Sequence, residues 1–535
     1  MEHKIELEDS QIVNYWQSHN IYQHILTKNK SNPEFKFIDG PPFASSKDLH
    51  FGHGLIGYIK STVLNYQQMK GYNCEYSFGI DCHGLPSEEA NNKLLKLKNT
   101  KEILDYGIDK YNESCKNMIN GFIHEWENIY NHMGRFVEYD KKYKTMDVNF
   151  MESVWWVFSE FYKKNLVYRG YRVMPYSNAC GTPLSNFEAS QNYKNIETKS
   201  CYVKFKLLDL DYDNTYMIAW TTTPWTLLTN IALCVNRESE YCYVLIKKTD
   251  EIYICGSELI KNDEYEIIKT KLGHELVGKK YIPVFDEYCD FPSDNKFTII
   301  ADSFVDTQKS LTGTGIVHIS PYYGEDDYRV CTENNIVNND NISLLCSVCE
   351  NGKFVLGPWK DMLSTDKSTN DEIIKYLKIN NKLLKTYVYT HSYPFCYRTD
   401  TPLIYKITNS YFVQVTKMKD DLIKNNDKIT WHPSNVNNRF KNWLENVKDW
   451  CISRNRFFGT PIPIWVSDDG TEQICISSID ELVEKAKLSY RPIDIHRENI
   501  DDIIIISESG KTLRNVKLLF DCWFESGCVP FAQVH

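Results

Sequence analysis

The feature that most constrains this chain is a strand end, a proline-rich turn and a helix start in close succession. Phe35-Lys-Phe-Ile-Asp39 reads as a short strand, Gly40-Pro41-Pro42 stops it, and His50-Phe-Gly52-His53 opens a helix. A strand that feeds a helix N-terminus is an α/β device. Its free N–H groups and positive dipole end suit phosphates. His50 and His53 are three apart and share a helix face. Two imidazoles there can donate hydrogen bonds to oxygens that gain charge during attack at phosphorus. Gly52 has no Cβ, so a flat ring can approach the backbone. Taken alone, two histidines at this spacing are more often packing or capping residues.

The rest of the chain gives this block a large setting. Its 535 residues are enough for three or four domains. A helix is predicted over Ser10–His19. A long amphipathic helix is predicted from the spacing of Ile108, Tyr111, Cys115, Met118, Phe122, Trp126, Ile129 and Met133, and a second from Met151, Val154, Trp155, Phe158 and Tyr162. After Gln191 strand-like stretches dominate, around Cys201–Leu207, Met217–Trp220, Tyr241–Ile246, Phe297–Ala301 and Gly315–Ile319. After His391 a mixed texture returns, with a helix near Arg439–Val447 and a strand at Ile503–Ile506. A β-rich domain inserted into an α/β domain is the natural layout.

Composition excludes several classes. Lys and Arg number 61 and Asp and Glu 71, a net charge of −10, so the chain does not coat nucleic acid by bulk electrostatics. No apolar run approaches bilayer length. The acidic amino terminus, Met1 to Asp9, argues against a secretory signal or transit peptide. Seventeen irregularly spaced cysteines read as reduced thiols of a cytosolic protein. The one CxxC, Cys346 and Cys349, lacks a second pair of similar spacing, so no structural zinc is expected.

The His50 block, with its Gly40-Pro-Pro-Phe-Ala lead-in, resembles the HIGH motif of class I aminoacyl-tRNA synthetases in the form seen in the branched-aliphatic group. Gly79-Ile-Asp81-Cys-His-Gly-Leu-Pro-Ser-Glu88 is similar to the family's second element. Trp220-Thr221-Thr222-Thr223-Pro224-Trp225-Thr226-Leu-Leu-Thr-Asn230 resembles the threonine-rich editing strand of the isoleucyl branch, where valyl and leucyl relatives carry Arg-Pro in place of Thr223-Pro224. Gly313 to His318 and on to Gly324-Glu-Asp-Asp327 resembles the second editing motif. Phe520-Asp-Cys-Trp523-Phe-Glu-Ser-Gly527 resembles the isoleucyl pocket segment in its eukaryotic cytosolic form. The likeness runs in order from about Phe35 to the end, through His391–Pro402 and Trp450–Pro463.

The resemblance implies a Rossmann-like, doubly wound parallel-sheet catalytic domain interrupted by a large β-rich editing domain. The expected boundaries are 1–190, 191–392 and 393–535. It implies that isoleucine attacks the α-phosphorus of ATP, with Mg2+ accompanying the nucleotide, and that the adenylate acylates tRNA(Ile). His50 and His53 would serve the phosphates, Gly40, Pro42 and Gly52 would help to bind ATP, and Pro41 and Trp523 would wall the side-chain pocket. Asp81 would hold the α-ammonium. One methylene, the isoleucine–valine difference being the standard instance, gives a hydrophobic pocket only ~1–3 kcal/mol, so a second site must hydrolyse the smaller product. There Asp327 would take the ammonium of misplaced valine. Thr221, Thr222 and Thr223 would position ester and water, and Asn230 and His318 would support them. Arg454 and Arg456 suit either tRNA phosphates or surface ion pairs. The implied setting is cytoplasmic, with a monomeric catalytic unit, alone or within a larger assembly.

Some features depart from the pattern. The loop from Pro42 to His50 is one residue longer than expected and carries Ser46-Lys47-Asp48-Leu49 before the first histidine, while Leu228 and Phe458 replace a usual proline and tryptophan. Gly510-Lys511-Thr512 imitates a phosphate loop, but the required earlier glycine position holds Ile505. The family's lysine-rich KMSKS loop and anticodon-binding region find no counterpart before His535, so the expectation is part of a larger synthetase. Two other readings stay open: an editing-only hydrolase, and a non-catalytic tRNA-binding protein on a synthetase scaffold.

Overall fold

The structure, a computed structural model, describes residues 9–135, 142–208, 212–256, 265–307 and 313–535. The amino-terminal residues 1–8, on which the expectation about a leader segment falls, lie outside them. The chain forms two compact units: Met1–Arg169 with Ser410–His535, and Gly170–Asn409.

The first unit is built around short parallel pairing. Phe43 bridges Asp81 in parallel, and Gly79–Ile80 pairs in parallel with Tyr143–Lys144. The helix Phe51–Met69 makes the first crossover, and the helices Leu85–Leu95, Thr100–Tyr106 and Ile108–His132 lie in the second. The strand expected at Phe35–Asp39 is a correction. Phe35–Asp39 joins no sheet: the parallel bridge beside it pairs Glu34 with Asn73, and pairing resumes at Phe43. Pro41 and Pro42 have no N–H to give a ladder, and Asp39 is instead a buried anchor, described below.

The helix Ile108–His132 follows its expected span, but its fully buried line runs Tyr111, Cys115, Ile119, Ile123, Trp126 and Tyr130. Met118 and Phe122 flank this line, half-buried. The helix Val148–Lys163 buries Met151, Val154, Trp155 and Phe158, as its spacing predicts. These join Ile462, Ile464, Trp465, Ile479 and Phe520 in one core, while Phe78, Ile80, Tyr111 and Trp126 share another with Phe458. In the carboxyl-terminal part an antiparallel sheet orders Gln473–Cys475, Ile464–Ser467, Thr512–Asn515 and Ile504–Ile506. Gly510-Lys511 is the turn of its last hairpin, and Lys511 Nζ pairs with Asp469 at 2.8 Å, so the phosphate-loop imitation is a hairpin tip. The short helix Cys522–Gly527 follows the strand Leu519–Phe520.

The second unit is β-rich. A six-stranded sheet orders Tyr265–Leu272, Glu240–Ile246, Glu251–Gly256, Thr215–Thr221, Tyr193–Lys206 and Leu383–Pro394. A three-stranded sheet puts Ala232–Val235 between Thr298–Ala301 and Ile316–Ile319. The insert is wider than the change of texture at residues 191 and 392. Val173, Tyr176, Ile404 and Ile407 belong to its core, so the chain passes between units at Arg169–Gly170 and Asn409–Ser410. No helix among the described residues is long and apolar enough to cross a membrane.

Candidate functional site

The helix mouth of the first unit is capped by its own histidine. His50 is the N-cap residue, and its Nδ1 accepts the backbone N–H of His53 at 3.3 Å. That bond fixes the tautomer: a neutral His50 carries its proton on Nε2, free to donate outward. The two imidazoles stack, 3.7 Å between centroids and 16° apart, and His53 leans on Trp126 at 5.0 Å. Burial, with the neighbouring charge of His50, holds His53 down to about 4. At neutral pH it is an uncharged imidazole. Trp126 Nε1 donates to Ser46 O at 3.0 Å and so anchors the lengthened loop from below. Gly52 has a reason internal to the site. A methyl group there would lie 2.9 Å from His50 Cε1 and 3.0 Å from Nδ1.

Under the Gly40-Pro41-Pro42 turn sits a cluster that composition and spacing do not reveal. The buried Asp39 carboxylate takes Arg135 at 2.8 Å on one oxygen and Lys60 on the other. Lys60 Nζ also donates to Gly40 O at 2.7 Å, and Tyr143 OH donates to Asp39 O at 2.7 Å. Burial lowers the Lys60 pKa, and the Asp39 charge opposes that. Pro41 and Pro42 are half-buried above this cluster and Gly40 is exposed. Pro42 O accepts Asp81 N–H at 2.9 Å, which ties the turn directly to the next site residue.

Asp81 is 2% exposed. Its Oδ2 accepts a hydrogen bond from Ser526 Oγ, and its Oδ1 is buried with no hydrogen-bond partner among the described residues. Burial raises its pKa well above the ordinary value, and nearby Glu525 adds to the rise. A buried carboxylate oxygen without a donor favours a cationic donor. Trp523 lies in the first turn of the helix that carries Ser526 and is 46% exposed; Asp521 Oδ1 accepts its backbone N–H at 3.2 Å. Ser526 therefore joins the site although the sequence does not single it out. Its one sequence signal is that it lies inside the quoted Phe520–Gly527 motif.

Arg454 and Arg456 form ion pairs, with one correction: the pairs lie inside the protein and not at its surface. Arg454 pairs with Asp521 at 2.7 Å, and Arg456 with Glu88 at 3.3 Å. Glu88 Oε1 also accepts the N–H groups of Phe457 and Phe458, each at 2.8 Å. These arginines hold the motif segments together. Around Cys346 and Cys349 no third His, Cys, Asp or Glu completes a metal-ligand group among the described residues.

The second unit holds its own polar cluster. Thr221 ends the strand Thr215–Thr221, Thr222 follows half-buried, and Thr223 caps the turn of 3-10 helix Pro224–Thr229. Hydroxyls run in a row: Thr221 to Thr223 at 3.3 Å, Thr223 to Thr226 at 3.3 Å, and Thr226 to His318 Nε2 at 3.2 Å. His318 Nδ1 is buried without a partner among the described residues, and burial holds this imidazole down to about 4. A second row joins Thr229 to Ser320 at 2.5 Å, and Ser320 N–H donates to Asp327 Oδ2 at 2.8 Å. Both rows thus reach the end of one strand, Ile316–Ile319.

Asp327 lies in the first turn of the helix Glu325–Glu333, and burial pushes its carboxyl up to about 7. Gly324 makes room for it: a methyl group there would lie 2.5 Å from Asp327 Cγ. Asn230 is committed internally. Its Nδ2 donates to Ala232 O at 2.9 Å and its Oδ1 accepts from Tyr281 OH at 2.6 Å, so it braces this corner. Thr226, Ser320 and Gly324 are functional candidates that lay inside the quoted motifs unassigned.

Residues 11–535 match the family described as tRNA synthetases class I (I, L, M and V). Over 99% of its length the chain is 45% identical to the probable cytoplasmic isoleucine–tRNA ligase of Dictyostelium discoideum, to the cytoplasmic isoleucine–tRNA ligase of Mus musculus and to the isoleucine–tRNA ligase of Tetrahymena thermophila. It covers 50%, 42% and 49% of those proteins, so the chain spans about half the length of the curated relatives it matches. With that match over nearly the whole chain, the chain belongs to the class I tRNA synthetases of the I, L, M and V group.

Proposed function

We propose that the chain carries the amino-acid-activating and editing parts of a cytoplasmic isoleucine–tRNA ligase. Isoleucine, ATP with Mg2+ and tRNA(Ile) are the partners. The observation that carries the activation half is Asp81, a buried carboxylate with one oxygen lacking a donor, tied to the Pro42 turn. An α-ammonium supplies that donor and places the substrate's carboxylate toward the mouth of the helix Phe51–Met69. The substrate carboxylate attacks the α-phosphorus and pyrophosphate leaves; no protein nucleophile takes part. Rate comes from positioning and from stabilising charge on phosphoryl oxygens. His50 donates from Nε2, and His53 stays uncharged under it, so the stacked pair avoids two adjacent positive charges. Pro41 and the half-exposed Trp523 wall the aliphatic side chain. Mg2+ arrives with the nucleotide, and no ligand in this chain is assigned to it.

For hydrolysis, ionised Asp327 takes the ammonium of a misplaced valine, and the hydroxyls of Thr221 and Thr223, with Thr222, orient the ester and a water. His318 acts as a neutral imidazole that holds Thr226.

Amino-acid-dependent exchange of labelled pyrophosphate into ATP tests activation, with isoleucine, valine and leucine in parallel. Exchange that favours isoleucine and disappears in Asp81→Asn and His53→Ala supports it. Silence with all three amino acids from a folded chain, beside hydrolysis of valyl-tRNA(Ile), would leave the editing-only reading in its place.

A further inference from the structure

Two rungs of side chains tie the segment Asp81–His83 to the helix Cys522–Gly527. In the first, Ser526 Oγ donates to Asp81; in the second, His83 Nδ1 meets Glu525 Oε2 at 2.8 Å. The other oxygen of Glu525 accepts Thr460 N–H at 2.8 Å. Behind the second rung the contacts continue. His83 Nε2 faces His496 Nε2 at 2.9 Å, and His496 Nδ1 meets Asp494 Oδ1 at 2.5 Å. Asp494 Oδ2 accepts from Lys116 Nζ at 2.5 Å, and Lys116 also reaches Glu498 at 3.2 Å. Phe458 lies flat on His496, 6° between rings, and edge-on to His83. His83, His496 and Glu525 are fully buried, while Asp494 and Lys116 are partly exposed.

Glu525, His83, His496 and Asp494 thus make three contacts in line, and counting protons constrains them. Two neutral imidazoles supply two ring protons. Placed on the two Nδ1 atoms against the carboxylates, they leave two Nε2 lone pairs face to face in a dry site. All three contacts are satisfied only by three protons: because hydrogen bonds from His496 and Lys116 hold Asp494 well below the ordinary carboxylate range, either Glu525 keeps its carboxylic proton and donates to His83, or one imidazole is doubly protonated. Both placements give the four groups one net negative charge, which faces the Lys116 ammonium that Glu498 shares.

We propose that these four groups form one proton-sharing row holding three protons, and that through it Glu525 and His83 are positioning residues for Asp81. The positioning role rests on the reading of Asp81 as the ammonium site. The row, and not a bound metal, suits this geometry. The ligand atoms of Asp494, His496 and Glu498 lie within 4.8 Å of one another, but the Lys116 ammonium already sits between the carboxylates and both His496 nitrogens have partners. The other charged groups facing the row are Glu498 and Lys116 at its outer end and Asp81 and Asp521 at its inner end. Raising the pH removes the third proton, sets the lone pairs against each other and loosens the second rung, so isoleucine affinity falls.

The test uses the full chain. Long-range 1H–15N spectra of its histidine rings, assigned with His83→Gln and His496→Gln, count the ring protons. Calorimetry measures isoleucine and its deaminated analogue, 3-methylpentanoic acid, between slightly acid and slightly alkaline pH. The expected spectrum at neutral pH has a proton on one of the two Nε2 atoms. Glu525→Ala should weaken isoleucine about tenfold, the size of one lost buried hydrogen bond. Glu525→Gln should stay close to wild type, because its amide donates to His83 as the carboxylic acid would, and it should abolish the alkaline fall in affinity. Two bare Nε2 atoms would overturn the row. A folded Glu525→Ala chain that binds isoleucine like wild type, or a Glu525→Gln chain that keeps the alkaline fall, would overturn its positioning role. Equal binding of isoleucine and 3-methylpentanoic acid by the wild-type chain would overturn the Asp81 reading and the positioning role with it, while the spectrum judges the row by itself.

Discussion

At the scale of single residues, Asp327 carries the sharpest consequence. Burial lifts its carboxyl to about 7, and the Ser320 N–H opposes that rise without cancelling it. In the unfolded chain an aspartate releases its proton near ~3.9. Between these values the folded chain holds a proton that the unfolded chain has lost, so stability falls as pH rises through this window, and the whole penalty is present above about 7. Three pH units set an upper bound of ~4 kcal/mol. Asp327→Asn should therefore raise the melting temperature at pH 8 and change it little at pH 4, while abolishing hydrolysis of valyl-tRNA(Ile). Wild-type hydrolysis should climb through pH 7 as the carboxylate ionises. A lower melting temperature for the variant at pH 8 would refute the argument. Gly324→Ala tests the same carboxylate from outside. Its methyl group meets Asp327 at 2.5 Å, so it should displace the carboxylate and cut hydrolysis at a cost of ~1–3 kcal/mol in stability, measured by denaturant melts.

At the scale of elements, the helix Phe51–Met69 combines two duties in one residue. His50 caps the helix through Nδ1 and presents Nε2 to the outside. Asparagine caps equally well and has no imidazole. His50→Asn should keep stability within a few tenths of a kcal/mol yet lose pyrophosphate exchange. His50→Ala should lose exchange and also about 1 kcal/mol of stability. Equal exchange by His50→Asn and wild type would make this histidine a cap alone. The same helix marks what was legible. Its start was readable from His50-Phe-Gly52-His53, but its outward face was not: Leu55, Ile59, Tyr66 and Met69 are exposed. Apolar spacing reports that a stripe exists and is blind to whether a neighbour covers it. The helix Ile108–His132 shows the milder form, its span as expected and its buried line shifted toward Ile119, Ile123 and Tyr130. The strand over Phe35–Asp39 failed because local propensity is blind to a distant Lys60 and Arg135 that make Asp39 a buried anchor. Likewise Arg454 and Arg456 could not be placed inside without knowing that Asp521 and Glu88 would meet them.

At the scale of the whole molecule, the two proposed sites lie in separate units that each keep a core of their own. The core containing Val203, Leu233, Ile300 and Phe354 lies entirely within Gly170–Asn409, and those containing Trp155 and Trp126 lie entirely in the other unit. The hydroxyl rows and Asp327 belong to the first of these, and His50, Asp81 and the His83–His496 contact to the second. Linkage then acts on each unit separately, because a group changes the unfolding of the core that buries it. Residues Gly170–Asn409 expressed alone should unfold cooperatively and show the same gain in melting temperature at pH 8 on Asp327→Asn as the full chain does. Glu525→Ala and His50→Ala in the full chain should shift a different calorimetric transition and leave that one in place. One merged transition, shifted equally by all three substitutions, would show that the cores unfold as a single body and that the two proposed sites share one reserve of stability.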